Sequence, residues 1–229
     1  MKRIFTLLFI FVCLTGFSQT IDLTAYNDFL KDHVSKKGVV DYDKVLKNMD
    51  ELKKITESFS KISPNLGWSQ SELKSYWINF YNANIIKLLA ENYPIKSINY
   101  IRDPFDINIA KLGDGKISLD LLEHKVIRKL DDPRVHFALY STAMSSPVLK
   151  RTAYRPETVE KDLGIATSNF INDKTKNIIG YKSSKLSKIF EWYKDDFDVV
   201  EFINKHSGGI KMNPKTIITY MDYNWNLHR

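Results

Sequence analysis

The chain has 229 residues, 43% hydrophobic and 27% charged, with a formal net charge of +7 and one cysteine. That composition suits a globular protein able to bury its own core and excludes a largely disordered one. The lone cysteine, Cys13, falls in a leader segment. A mature chain would then have no cysteine, which excludes a disulfide framework, a cysteine-ligated metal and a thiol nucleophile.

Residues 1–19 read as a secretion signal peptide. Lys2 and Arg3 precede an apolar run from Ile4 to Leu14, and Thr15-Gly16-Phe17-Ser18-Gln19 supplies small residues for cleavage. The run is too short for a transmembrane helix, and Phe11-Val12 before Cys13 does not make a lipoprotein box. The expectation is an exported protein, periplasmic or extracellular, with no stable membrane anchor after cleavage. Lysine pairs such as Lys36-Lys37 and Lys53-Lys54 are interrupted by acids and apolar residues. They read as solvated faces, so no nucleic-acid partner is expected.

Residues 20–229 read as one domain, without repeats or a linker. An apolar stripe of Tyr26, Phe29, Leu30 and Val34 predicts a first helix over Thr24 to His33, ended by Gly38. Tyr42, Val45, Leu46, Met49 and Leu52 predict a second. Ser69 and Glu72 form a capping box for a third, apolar nearly all round between Tyr76 and Leu89 and therefore buried. Asn79, Asn82 and Asn84 interrupt it and need partners.

The pattern then turns to period two around Ile107 and Ile109, with Gly113-Asp114-Gly115 as the turn of a hairpin. Ser118 caps a helix over Leu119 to Leu130, and Asp120 sits favourably in its first turn. Arg134 to Tyr140 alternates like a strand, placing His136 on its polar face. After a turn-rich segment from Ser141 to Pro147, we expect a helix over Pro156 to Phe170 and a strand over Asn177 to Tyr181. Short helices over Leu186 to Tyr193 and Val199 to Asn204 precede an extended piece from Thr216 to Tyr220. Helices outnumber strands, giving a helix-rich α+β single domain with a small antiparallel sheet.

Five stretches in order carry a family resemblance. They are Trp77-Ile-Asn79-Phe-Tyr81-Asn82-Ala83; Ser118-Leu-Asp-Leu-Leu-Glu123-His124 with Arg128; Asp132-Pro133-Arg134-Val-His136-Phe137-Ala-Leu; Leu186-Ser-Lys-Ile-Phe190-Glu-Trp192-Tyr193 with Asp196-Phe197; and Asp222-Tyr223-Asn-Trp225. The chain resembles the domain of unknown function 547 family, an uncharacterised group. The resemblance implies a papain-like arrangement, related to thiol hydrolases. In that pattern two cysteines follow the His-Phe-Ala-Leu stretch, where this chain has Ser141 and Ser146.

Three functions follow. The first is a degenerate thiol-hydrolase-like site that binds a small-molecule or peptide ligand, with His124, Arg134, Asn79 and Asn82 as candidate ligand contacts. The second is a serine-dependent hydrolase of an amide or ester, in which Ser146 attacks, His136 takes its proton and Glu123 orients the imidazole. A serine hydroxyl is far less acidic than a thiol, so that chemistry demands tight alignment. The third is metal binding through Glu123, His124 and His136, although no metal-ligand motif of the usual spacing is present. No cofactor is expected: Gly113-Asp-Gly115 lacks the third glycine of a phosphate loop. Two asparagines, Asn79 and Asn82, also read as clamps on the central helix. Arg128 and Arg134 read as ion-pair partners of Glu123 or Asp222. Trp192, Tyr193 and Phe197 read as core or as a stacking platform, and His33, His206 and His228 as surface or edge residues.

Overall fold

A computed structural model of the protein describes residues 21–113 and 115–228. The expected secretion signal of residues 1–19 and Asp114 of the hairpin turn lie outside them.

Helix α1 (Thr24–His33) buries Tyr26, Phe29 and Leu30, as its stripe requires. The expected second helix is two, α2 (Tyr42–Lys47) and α3 (Met49–Ser60), with Asn48 as the junction between them. Helix α4 (Gln70–Asn92) is the axis of the fold. Ser69 Oγ accepts from the Glu72 amide at 3.2 Å, and Glu72 returns a carboxylate to the Ser69 amide at 2.7 Å. Sixteen of its residues are buried, from Lys74 through Ala90. An all-round apolar helix must be covered on every side, and α2, α3, α5 and α6 pack against it.

The hairpin forms as β1 (Asn108–Leu112) and β2 (Gly115–Ser118), antiparallel with an irregularity between Asn108 and Ala110. Ser118 then caps α5 (Leu119–Lys125), its hydroxyl accepting from the Leu121 amide. The expected continuous helix to Leu130 breaks at Val126 and resumes as a 3₁₀ turn, Ile127–Leu130.

The strand expected over Arg134 to Tyr140 is instead a 3₁₀ helix, Pro133–Phe137. Asp132 caps it by accepting from the Arg134 amide, and Pro133 stands at its first position, where a missing N–H costs nothing. Val135 through Tyr140 are all buried, His136 included, so there is no polar face. Helix α6 (Val159–Asn172) follows. The strand expected over Asn177 to Tyr181 reduces to one bridge, Ile178 with Lys185. The second sheet is parallel, not antiparallel: β3 (Ser183–Leu186) beside β4 (Ile217–Tyr220). Between them come α7 (Ile189–Trp192) and α8 (Val199–His206). The class is the expected helix-rich α+β one, with the antiparallel hairpin joined by this parallel pair.

Residues 224–228 run as a strap across earlier segments. Met144 N donates to Asn226 O at 2.7 Å, Ser145 N to Asn224 O at 3.2 Å, His228 N to Thr142 O at 3.0 Å and Leu227 N to Lys96 O at 2.9 Å. Ser97 Oγ adds a bond to Trp225 O at 2.8 Å. None of the described helices is long and apolar enough to cross a membrane.

Candidate ligand cleft

A cleft of about 380 Å³ opens between α5, the 3₁₀ helix Pro133–Phe137, α7 and the strap. Its walls are Tyr81, Phe105, Asp120, Glu123, His124, His136, Leu139, Ser141, Pro147, Ile189, Trp192, Tyr193, Tyr223 and Trp225. Most of its polar side chains are held by a specific partner.

His136 is 4% exposed and lies flat on Tyr193, ring centres 4.0 Å apart. Its Nε2 is 2.8 Å from Asp196 Oδ2. Burial lowers the imidazole pKa, and the Asp196 bond offsets that in part. The neutral ring must carry its proton on Nε2 to meet a carboxylate, which leaves Nδ1 as a lone-pair base. Asp196 also accepts two parallel bonds from Arg128, from Nε at 2.7 Å and Nη2 at 2.6 Å. Those bonds, ahead of opposing burial, lower its pKa.

Arg128 Nη1 meets His124 Nδ1 at 2.9 Å. A guanidinium only donates, so His124 Nδ1 accepts and the ring proton sits on Nε2, 3.3 Å from Asp120 Oδ1. Glu123 accepts from the Tyr193 hydroxyl and, at 3.5 Å, from Tyr81. Burial first, then the Glu123 charge, pushes the Tyr81 and Tyr193 hydroxyls above the usual phenol range. Both therefore stay neutral donors. Trp192, Tyr223 and Trp225 make an aromatic wall, with Tyr223 and Trp225 centroids 4.5 Å apart and Trp192 and Trp225 stacked at 5.9 Å.

The structure brings Glu123, His124 and His136 to this cleft, but not the other candidates. Ser146 is 2% exposed and absent from the lining. Its single hydroxyl proton is shared between Ala143 O at 2.8 Å and Pro147 O at 3.0 Å. Neither acceptor is a histidine, so the expected Ser146–His136–Glu123 chain is not formed. Ser141 is the serine that lines the cleft, 3.0 Å from the Tyr223 hydroxyl. Arg134 turns to a separate ion cluster with Asp132 and Glu160. Asn79 and Asn82 are clamps: Asn79 bonds both the N–H and the carbonyl of Tyr154, and Asn82 bonds Ala138 O and Tyr140 N. With every polar atom of those two amides engaged in the core, neither reaches a ligand. Among the described residues no group of three His, Cys, Asp or Glu is placed to hold a metal. Glu123, His124 and His136 thus do not form a ligand set.

Asp196 escaped the sequence reading as a site residue. Its only signal was its place in the fourth family stretch, and the acid expected for Arg128 was Glu123 or Asp222. Tyr81 and Tyr223 were also visible only within motifs. His33 is buried rather than at an edge, its ring set between Phe29 O at 2.9 Å and the Asn48 amide at 3.1 Å.

Residues 66–171 match the family described as "Protein of unknown function, DUF547". The chain resembles the DUF547 family. No curated protein and no solved structure matches it. The DUF547 segment supplies Glu123, His124, His136 and Ser141, while Trp192, Tyr193, Asp196, Tyr223 and Trp225 lie beyond residue 171. Five of the fourteen lining residues, among them most of the aromatic wall, therefore come from chain outside the matched segment.

Proposed function

We propose that this is an exported binding protein whose cleft takes a small polar or peptide-like ligand and does not hydrolyse it. One observation carries the reading. The base of a hydrolase-like site, His136, held by Asp196, shares a cleft with an aromatic wall, while the hydroxyl of Ser146 is occupied by backbone oxygens. A buried serine bonded in that way has no base to take its proton. Ser141 shares the cleft, but its bond is to a tyrosine hydroxyl rather than to an imidazole. The export part of the reading is supported by the basic start and apolar run of residues 2–14.

Two measurements test this. Trp192 and Trp225 line the cleft, so their fluorescence should change on titration with short peptides that remain intact by mass spectrometry. A fluorophosphonate probe should leave the protein unlabelled. Labelling at Ser141 or Ser146 that disappears in His136→Ala would overturn the non-catalytic reading in favour of a serine hydrolase. For export, N-terminal sequencing of protein from the cell envelope or medium should begin at about residue 20.

A further inference from the structure

We infer that the cleft is built for an organic cation, an alkylammonium or guanidinium group carried on an apolar body. This rests on the reading of the cleft as a binding site and adds the charge of what it binds.

The charge balance of the walls points there. Glu123 has no ion-pair partner among the described residues; its bonds come from two tyrosine hydroxyls. Among the described residues the ion-pair contact of Asp120 is to His124, whose Nδ1 accepts the Arg128 N–H. Arg128, whose charge acts on Glu123, is already paired in a two-bond fork with Asp196. Two carboxylates thus line the cleft without a formal positive charge of their own.

The aromatic wall reinforces the same sign. The faces of indole and phenol rings carry negative potential and attract cations, more strongly once water is displaced. Trp192, Tyr223 and Trp225 stand together in one wall of the cleft that Glu123 also lines. The volume of about 380 Å³ holds a ring or an alkyl chain alongside the charged head. Among the described residues no lysine or arginine lines the cleft, so an anion would meet Glu123 and Asp120 there. The chain as a whole is basic, at +7, so a cation-seeking cleft is a local reversal of its net field.

The test uses three probes of one shape and different charge: benzylamine, benzyl alcohol and benzoate. Each is titrated into the full chain at pH 7 with tryptophan fluorescence as the readout. Benzylamine should bind roughly tenfold more tightly than benzyl alcohol, and benzoate more weakly than either. Glu123→Gln should bring amine and alcohol to within about threefold. Glu57→Gln, which removes one acid from the exposed side of α3, should leave the preference unchanged. Should Glu123→Gln fail to fold, added salt serves instead: the amine preference of the native chain should shrink as sodium chloride rises. Equal binding of amine and alcohol, or a preference insensitive to salt, overturns the cation inference and leaves the cleft reading standing. No response to any of the three probes overturns both.

Discussion

Replacing Asp196 by asparagine isolates the group that holds His136 in place. Asp196 accepts three short bonds, two from Arg128 at 2.7 and 2.6 Å and one from His136 at 2.8 Å. Asparagine keeps one oxygen, loses the charge and presents an NH2 group where an acceptor is needed. Hydrogen bonds to charged groups contribute about 1.5–3 kcal/mol each, and breaking a fully buried ion pair costs about 3–5 kcal/mol. The Arg128 and Asp196 side chains are 27% and 24% exposed, which discounts the upper figure. Asp196→Asn should therefore lose about 2–3 kcal/mol at pH 7 in urea unfolding followed by tryptophan fluorescence. The pH dependence follows from the same pair. Burial lowers the His136 pKa, so its contribution is complete above the ordinary histidine value and declines as pH falls below it. The Asp196 carboxyl, lowered chiefly by Arg128, contributes fully above the usual carboxylate range and is lost only at more acid pH. Native stability should thus begin to fall below about pH 6.5, with His206 and His228, lowered first by burial, acting in the same direction. A loss under about 0.5 kcal/mol for Asp196→Asn, or flat native stability between pH 7 and 5, would refute the reasoning.

Three further outcomes follow from the structure. Burial opposes ionisation of Asp132, but bonds from Arg134 and Lys74 hold its pKa at about 2, so its contribution is present above the ordinary aspartate value and lost as pH approaches 2. Asp132→Asn leaves two cations short of a partner and should cost about 3–4 kcal/mol in thermal unfolding, whereas Lys74→Met leaves Asp132 paired with Arg134 and should cost less; the reverse order would contradict the cluster. Asn79→Ala strands the buried Tyr154 N–H and should lower stability by about 2–3 kcal/mol by chemical denaturation. The two glycine variants should move in opposite directions. Gly38 has φ +75°, and an added Cβ would lie 2.8 Å from Leu149 O, so Gly38→Ala should cost at least about 2 kcal/mol. An added Cβ on Gly164, inside α6, meets nothing within 4 Å, so Gly164→Ala should stabilise by about 0.5–1 kcal/mol.

Much of the fold was legible where the signal is local. The stripe of α1, the Ser69–Glu72 box and the Ser118 cap each depend on residues within a few positions of one another, and each forms as read. The 3₁₀ helix around His136 was misread because Val135, Phe137 and Leu139 alternate with less apolar neighbours. The stronger clue was Asp132-Pro133, a capping acid followed by a proline that suits a helix start. The parallel pairing of β3 with β4 joins residues more than thirty positions apart, and no short-range pattern encodes it. The same distance hid the cleft. Glu123, His124 and His136 were legible from motifs, but choosing Ser141 over Ser146 needs the path of the turn between them. Thr142 takes φ +67° there, an unfavourable backbone for a β-branched residue, and sequence spacing does not report it.

The strap of residues 224–228 also orders events in time. Its bonds reach back to residues 96–97 and 142–145, across more than seventy positions of chain. Tyr223, just before it, and Trp225 within it form part of the aromatic wall of the cleft. During synthesis α1 to α4 and most of the core can pack while that wall is still unmade, and loops this long close late. A nascent or clipped chain would then carry His136 and Glu123 beside Trp192 but without Tyr223 and Trp225 to complete the aromatic wall. The cleft is complete only once the strap is in place, and loss of the strap would remove Tyr223 and Trp225 from its wall.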